Sequence, residues 1–176
     1  MKRRKYINRK MYVHYGSNKF DPNKITPEAP WCNKPKGLWA SPRNTKFSWA
    51  DFVRYDWDTK IYTLKSHFTF TLKKNARILV IKNHYDIIPY LKEENNNNNF
   101  FKNKKKKDEL TINDFYIFSD IRYQWKIDWE KIYNNYDGME VYAGENWCEF
   151  HESYLFNTYD CDSIVIWNTS IIERVC

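Results

Sequence analysis

The sequence feature that most constrains the fold is the segment GLWASP at residues 37–42. A glycine, a short apolar run and a Ser-Pro step predict a buried strand that ends in a turn, because the residue before a proline is pushed toward extended geometry. Ser48 can then act as an N-cap and Asp51 as the N3 residue of a capping box, which predicts that a helix begins there. Trp39 and Trp49 would form a wall for a flat ligand, or would pack in the core as aromatic residues commonly do.

The length and composition of the chain indicate a single globular domain. With 176 residues, the chain can bury roughly two-thirds of its unfolded surface, and 19% of its residues are aromatic. No apolar run approaches the roughly 20 residues that span a bilayer. The basic start of the chain leads into no apolar segment of the kind found in signal peptides. We therefore expect a cytoplasmic protein that does not bind membranes.

The four cysteines lie far apart and form no C-x-x-C pair. In a chain without a secretory signal, this spacing predicts reduced thiols. Cys148 and His151 are spaced as C-x-x-H, but no second ligand pair accompanies them. We therefore expect no zinc site and no other bound metal.

Positive charge is concentrated in two segments of the chain, whose net charge is +7. Residues 1–10 form a basic arm before the predicted domain at residues 11–176, and a low-complexity insertion at residues 95–107 combines a run of asparagines with lysines. Such an insertion cannot bury apolar surface and is typical of a solvated loop. A basic flank can attract the phosphates of a nucleic acid or a nucleotide, and it can equally be a solvated tail.

Hydrophobic periodicity predicts an α+β domain of short elements. Alternation along the last predicted strand puts Asp162 and Ile164 on one face and Ser163 on the other. Strands are expected at residues 11–14, 36–42, 61–72, 76–81, 139–142 and 163–167, and helices at residues 48–57, 83–91 and 128–133.

The chain contains four glycines, which excludes a glycine-rich loop that cradles phosphates. Any nucleotide must therefore be held by side chains and by isolated backbone groups. Three polar stretches at the edges of predicted strands could supply them, at residues 14–17, 37–41 and 160–163.

The order of these stretches resembles the order of motifs in the ADP-ribosyltransferase superfamily. Residues 14–17 (HYGS) resemble its first motif, His-Gly-Thr/Ser, with a tyrosine inserted. Residues 37–42 resemble the second motif, Gly-(Leu/Ile)-Tyr-Phe, with tryptophan in place of tyrosine. Residues 162–166 (DSIVI) resemble the third motif, Glu-Tyr-Ile-Val-Tyr, with aspartate where the family has its catalytic glutamate.

The resemblance implies a fold of two small, mostly antiparallel sheets that form an NAD cleft and are flanked by short helices. It also implies that NAD is a substrate, that no metal takes part, and that ADP-ribose is transferred to a protein or a nucleic acid. His14 and Asp162 would be catalytic. The residues that would contact NAD are His14, Tyr15, Gly16, Ser17, Trp39, Ser41 and Trp49.

A carboxylate suits this chemistry because cleavage of the nicotinamide–ribose bond passes through an oxocarbenium-like transition state. An acid near the ribose stabilises the positive charge that develops there. Glu140 lies on a neighbouring predicted strand and is the rival acid. We expect Asp162 to be the active one and to share the cleft with His14, and the family's order makes residues 147–159 the segment that recognises the acceptor.

Two other functions stay open from the sequence. The RNA 2′-phosphotransferases are similar to this superfamily and also consume NAD, and a basic arm would suit an RNA substrate. The second alternative is a basic domain that binds nucleic acid without catalysis, because aromatic rings can stack on bases. A toxin or a phage–host conflict factor would suit a small transferase of this kind, by analogy of fold.

Overall fold

The computed structural model describes residues 10–29, 33–56, 64–94, 104–116, 118–119, 124–144 and 147–176. These residues form nine strands: β1 (Met11–Tyr15), β2 (Leu38–Pro42), β3 (His67–Leu72), β4 (Ile78–Ile81), β5 (Leu91–Glu93), β6 (Trp125–Ile127), β7 (Gly138–Val141), β8 (Ser163–Ile166) and β9 (Ile172–Val175). They also form the helices α1 (Trp49–Asp56), α2 (Trp129–Asn135) and α3 (Trp147–His151). Short 3-10 helices lie at His84–Asp86, Ile88–Tyr90, Lys107–Glu109, Ile112–Phe115 and Thr169–Ile171.

The strands form one large sheet and one small sheet. Seven strands pair in the order β4-β7-β8-β2-β1-β3-β9, and β5 pairs with β6. Neighbours in the large sheet are antiparallel except β4 and β7, which are parallel. The predicted α+β class with short helices is confirmed. The strands are divided differently from the two small sheets that were expected, because β2 pairs with both β1 and β8 and so joins them into one sheet.

Apolar side chains cover both faces of the large sheet. On one face, Val165 of β8 packs in a core with Met139 of β7. On the other face, Ile164 and Ile166 of β8 pack in a second core with Leu38 of β2. The alternation predicted along the last strand is therefore confirmed.

Side-chain caps define where the helices begin. Ser48 and Asp51 form the predicted capping box of α1, in which the Ser48 N–H donates to the Asp51 carboxylate (3.0 Å) and the Asp51 N–H donates to the Ser48 hydroxyl (3.3 Å). Asp128, where a helix was expected to begin, caps α2 by accepting an N–H of its first turn. Asn83 also caps a helix, but two 3-10 helices replace the single helix that was expected. Pro89 lies in the second of them, and it has no N–H to continue an α-helix.

Elements that are too short for a periodic signal were not predicted. They are β5 and β6, with three residues each, α3 with five and β9 with four. Strand β9 forms where the chain end pairs with β3 at the edge of the sheet. Such pairing joins residues distant in sequence, so it leaves little local pattern.

The lysines at the end of the predicted insertion are bound to the domain. Residues 95–103 lie outside the described residues, but Lys105 pairs with Asp114 at 2.8 Å. Lys107 donates to the carbonyl oxygen of Leu91 at 2.7 Å. This end of the insertion therefore differs from a solvated loop, because the ammonium groups of these two lysines bind to groups of the domain.

Three of the four cysteines lie in the described part of the chain, and Cys148, Cys161 and Cys176 are free thiols. Cys32 and residues 1–9 of the basic arm lie outside it. Within the described ranges, every helix is too short or too polar to cross a lipid bilayer.

Candidate active site

The large sheet opens between β1 and β2. β1 pairs with β3 along all five of its residues. Its pairing with β2 covers Tyr12 opposite Pro42 and Val13 opposite Ser41 and goes no further, whereas the first half of β2 pairs with β8. The end of β1 therefore separates from the start of β2, and a cleft lies between them.

A cavity of about 470 Å³ lies at this opening, and we call it the cleft pocket. Its volume is within the range of small-molecule sites, which is roughly 300–1,000 Å³. Ser17 lies outside its lining and donates to the Lys19 carbonyl at 2.7 Å. The other six residues predicted to contact NAD line the pocket together: His14, Tyr15, Gly16, Trp39, Ser41 and Trp49.

The ring of His14 is held by the backbone across the opening. Its Nδ1 lies 2.6 Å from the carbonyl oxygen of Trp39. Because a carbonyl can only accept a hydrogen bond, Nδ1 carries the proton, and Nε2 of the neutral ring is an acceptor. The ring also packs on Phe68, with ring centroids 4.9 Å apart. These two contacts orient His14 at the wall of the cleft pocket.

Two glycines permit the backbone that the cleft pocket requires. Gly16 follows β1 and has a φ of +106°, which glycine adopts far more readily than other residues. A Cβ atom on Gly37 would lie 2.7 Å from the carbonyl oxygen of Ile166. Glycine at the start of β2 therefore allows β8 to approach closely.

Two half-buried indoles form apolar walls of the cleft pocket. The ring of Trp39 packs on Tyr159, with centroids 5.6 Å apart, and the ring of Trp49 packs on Phe52 at 5.5 Å. The hydroxyl of Ser41 accepts from the Trp49 N–H at 2.9 Å and thereby joins β2 to the first residue of α1. Because both indoles keep part of their surface exposed, they can contact a ligand as well as the core.

Two charged side chains of opposite sign line the cleft pocket. Asp160 precedes β8 and is half-buried, and no hydrogen bond or ion pair joins its carboxylate to another described residue. The Nζ of Lys34 lies 5.7 Å from the ring centroid of Trp39 and 5.9 Å from that of Tyr159. The pocket therefore offers a ligand one carboxylate and one ammonium group.

Asp162 does not line the cleft pocket. It is 2% exposed, and its carboxylate accepts from the Gly144 N–H at 2.9 Å and from the Thr45 hydroxyl. The expectation that it shares the cleft with the histidine is not met, because its carboxylate is bound by two loops, at Thr45 and Gly144, whose residues lie outside the pocket lining. Its role as the active acid stays a prediction.

Glu140 also lies outside the cleft pocket. It is 5% exposed and accepts hydrogen bonds from the Lys10 ammonium and, at 3.5 Å, from the Tyr12 hydroxyl. Burial opposes the charge of Lys10, but hydrogen bonds to Glu140 and Tyr142 raise the pKa of its ammonium above the usual value. Burial raises the pKa of Tyr12, and the Glu140 carboxylate raises it further. Glu140 is therefore the acceptor of a buried polar cluster, and its role as the rival acid stays a prediction.

The thiol of Cys161 lines the cleft pocket but does not suit nucleophilic chemistry. Burial raises its pKa to about 11, so the thiol stays protonated at neutral pH. In the described ranges, no group of three or more histidine, cysteine, aspartate or glutamate side chains is placed to hold a metal ion. The groups available for chemistry at the pocket are thus His14, Asp160 and Lys34, with apolar walls around them.

No protein-family model, no curated protein and no solved structure matches the chain. Assignment of a function therefore depends on the cleft pocket and on the motif order that its residues follow.

Sequence reasoning did not single out Asp160 and Lys34 as site residues. Asp160 lies in the third polar stretch, but the family's motif points to the acid next to the strand, which is Asp162. Which side chains meet at the cleft depends on how β2 pairs with its neighbours, and local sequence does not contain that information.

Proposed function

We propose that the protein is an NAD-dependent ADP-ribosyltransferase and that the cleft pocket binds NAD. The observation that carries the proposal is the convergence of His14, Trp39 and Trp49 on one opening of the sheet. These residues belong to three different elements; the motif resemblance predicts His14 and Trp39 as site residues, and the predicted helix start after the second motif adds Trp49.

The chemistry of the lining supports a nicotinamide nucleotide as the ligand. The indoles of Trp39 and Trp49 offer flat apolar surfaces for the nicotinamide ring. Nε2 of His14 can accept a hydrogen bond from a ribose hydroxyl. The ammonium of Lys34 can pair with the diphosphate, which takes the place of the glycine-rich loop that this chain lacks.

The half-buried carboxylate of Asp160 supports cleavage of the nicotinamide–ribose bond. The bond breaks with its electron pair leaving on nicotinamide, and the ribose carbon becomes positively charged. A carboxylate beside that carbon stabilises the charge, more strongly where water is partly excluded. The acceptor then forms the new bond to the ribose carbon and loses a proton. We therefore assign the acid of the proposed reaction to Asp160 rather than to Asp162 or Glu140.

The proposal leaves the acceptor as a protein or a nucleic acid. The RNA 2′-phosphotransferase alternative requires arginine and histidine side chains that grip a 2′-phosphate. Among the described residues that line the cleft pocket there is no arginine. No contact of the structure favours that alternative over the transferase.

Calorimetric titration with NAD, together with measurement of nicotinamide release in the presence of cell lysate as a source of acceptors, tests the proposal. We expect the wild-type protein to bind NAD and to release nicotinamide. His14→Ala should weaken NAD binding by about tenfold or more, since it removes a hydrogen bond and a wall of the pocket. His151→Ala is the matched control, because His151 is exposed and lies outside the cleft pocket. Absence of NAD binding by the wild-type protein would overturn the proposal.

A further inference from the structure

A second cavity, of about 540 Å³, shares no lining residue with the cleft pocket, and we call it the basic pocket. The two cavities adjoin each other at β2 and β8. Ser41 and Ser163 line the cleft pocket, whereas the next residue of β2, Pro42, and the residue before β8, Asp162, line the basic pocket. Lysines from three separate segments line the basic pocket: Lys10, Lys46 and Lys82.

The acids of this region are buried beneath the lysines and already have partners. Asp162 accepts from a hydroxyl and from a backbone N–H, and Glu140 accepts from the ammonium of Lys10. Lys46 and Lys82 are exposed at the surface. The face that a ligand would meet is therefore positively charged, although carboxylates lie below it.

Aromatic rings lie between these lysines. Phe47 is 39% exposed and follows Lys46 directly. The Nζ atoms of Lys10 and Lys82 lie 4.7 Å and 6.0 Å from the ring centroid of Tyr142. Ammonium groups interleaved with aromatic rings are typical of surfaces that bind single-stranded nucleic acid, in which phosphates pair with the cations and bases stack on the rings.

The distribution of charge along the chain favours the same face. Five further basic residues precede Lys10 in the sequence, which are Lys2, Arg3, Arg4, Lys5 and Arg9. The other lysine-rich segment is used internally, since Lys105 pairs with Asp114 and Lys107 binds backbone carbonyls. The basic arm thus leads in sequence into a lysine that lines the basic pocket.

We propose that the basic pocket binds a single-stranded nucleic acid. A single strand exposes base faces that can stack on Phe47 while its phosphates contact Lys46 and Lys82. A duplex keeps its bases stacked inside and would leave the exposed ring without a partner. This proposal does not depend on NAD chemistry, because it concerns a different cavity that shares no lining residue with the cleft pocket.

Fluorescence anisotropy with a labelled oligodeoxythymidylate of roughly 12 nucleotides tests this proposal without NAD. We expect binding that weakens as salt is added, because bound counterions are released from the strand. The double variant Lys46→Glu/Lys82→Glu should weaken the binding by about tenfold or more and reduce the slope of log K against log salt by about 1.4. Phe47→Ala should weaken binding by about tenfold at an unchanged salt slope, since it removes stacking rather than charge.

The matched control is Lys24→Glu/Lys36→Glu, which makes the same change of charge at two exposed lysines near the start of β2. Lys10 is left in place because its removal would strand the buried Glu140 carboxylate. Circular dichroism of each variant checks that the fold is kept. Equal weakening by the two double variants, absence of oligonucleotide binding at low salt, or binding to phosphatidylserine vesicles in its place would overturn the proposal.

Discussion

Asp160 and Asp162 are separated by one residue, yet their carboxylates have opposite environments. Asp160 is half-buried at the cleft pocket and has no hydrogen-bonding partner among the described residues. Asp162 is almost fully buried outside that pocket and accepts from the Thr45 hydroxyl and the Gly144 N–H. The chain thus places one acid where a ligand could meet it and the other where it joins the β8 segment to two loops.

The different environments of the two acids predict that one contributes to function and the other to stability. A buried carboxylate whose oxygens are satisfied adds to stability, and its removal leaves donors without acceptors. A partly desolvated carboxylate without partners adds little to stability, but its charge acts strongly on a nearby ligand. The two acids should therefore respond oppositely to substitution, and the comparison can be tested residue by residue.

The largest effect is expected on catalysis at Asp160. Asp160→Asn should lower the rate of nicotinamide release roughly 10²- to 10³-fold, which is about 2.7–4 kcal/mol of transition-state stabilisation. The melting temperature should not change, because this carboxylate has no hydrogen-bonding partner in the part of the chain that the structure describes. Initial rates at saturating NAD, measured beside thermal unfolding of the same samples, check both statements. A variant that keeps the wild-type rate would remove Asp160 from the reaction.

Asp162 should show the converse response. Asp162→Ala leaves the Thr45 hydroxyl and the Gly144 N–H without an acceptor, which should lower the free energy of unfolding by about 3 kcal/mol. The rate of nicotinamide release per folded molecule should stay near that of the wild type. Urea unfolding gives the stability, and rates corrected for the folded fraction give the activity. If the rate collapses while stability holds, the active acid is Asp162, as the family motif implies.

Local features of the fold could be predicted because their causes lie within a few residues. The capping box of Ser48 and Asp51 needs four consecutive positions, and the cap at Asp128 needs one turn. Alternation along β8 likewise follows from the sequence of the strand itself. Five of the six pocket residues lie in the two short motifs at residues 14–17 and 37–42, and the sixth, Trp49, begins the helix that the capping box predicted.

The choice between the two acids could not be made in this way. It depends on which side chains meet where the sheet opens, and that follows from the early end of the pairing between β1 and β2. The partners of Asp162 come from loops that are distant in sequence. Strand β9 and the small sheet of β5 and β6 depend on long-range pairing in the same manner.

His84 is a third case, a polar side chain that is buried without a hydrogen-bonding partner among the described residues. It is 1% exposed, and neither ring nitrogen has a hydrogen-bonding partner among the described residues. Its ring packs between Phe115 and Phe150, with centroids 5.4 Å and 5.1 Å away. Burial lowers the pKa of His84 from 6.5 to about 4, because the apolar core disfavours the charged form.

This lowered pKa predicts that acid destabilises the protein. Below pH 6.5 the unfolded chain protonates this histidine while the folded protein does not, so the unfolded state binds more protons and stability falls with pH. Between pH 7 and pH 5 the loss should be about 2 kcal/mol, since one unit of pKa corresponds to about 1.4 kcal/mol. Urea unfolding across this range measures it, with His84→Leu as the comparison. The leucine variant should lose the part of the slope that His84 causes, while the other histidines titrate alike in both proteins. An equal slope in the two proteins would show that His84 is not the group whose protonation destabilises the fold.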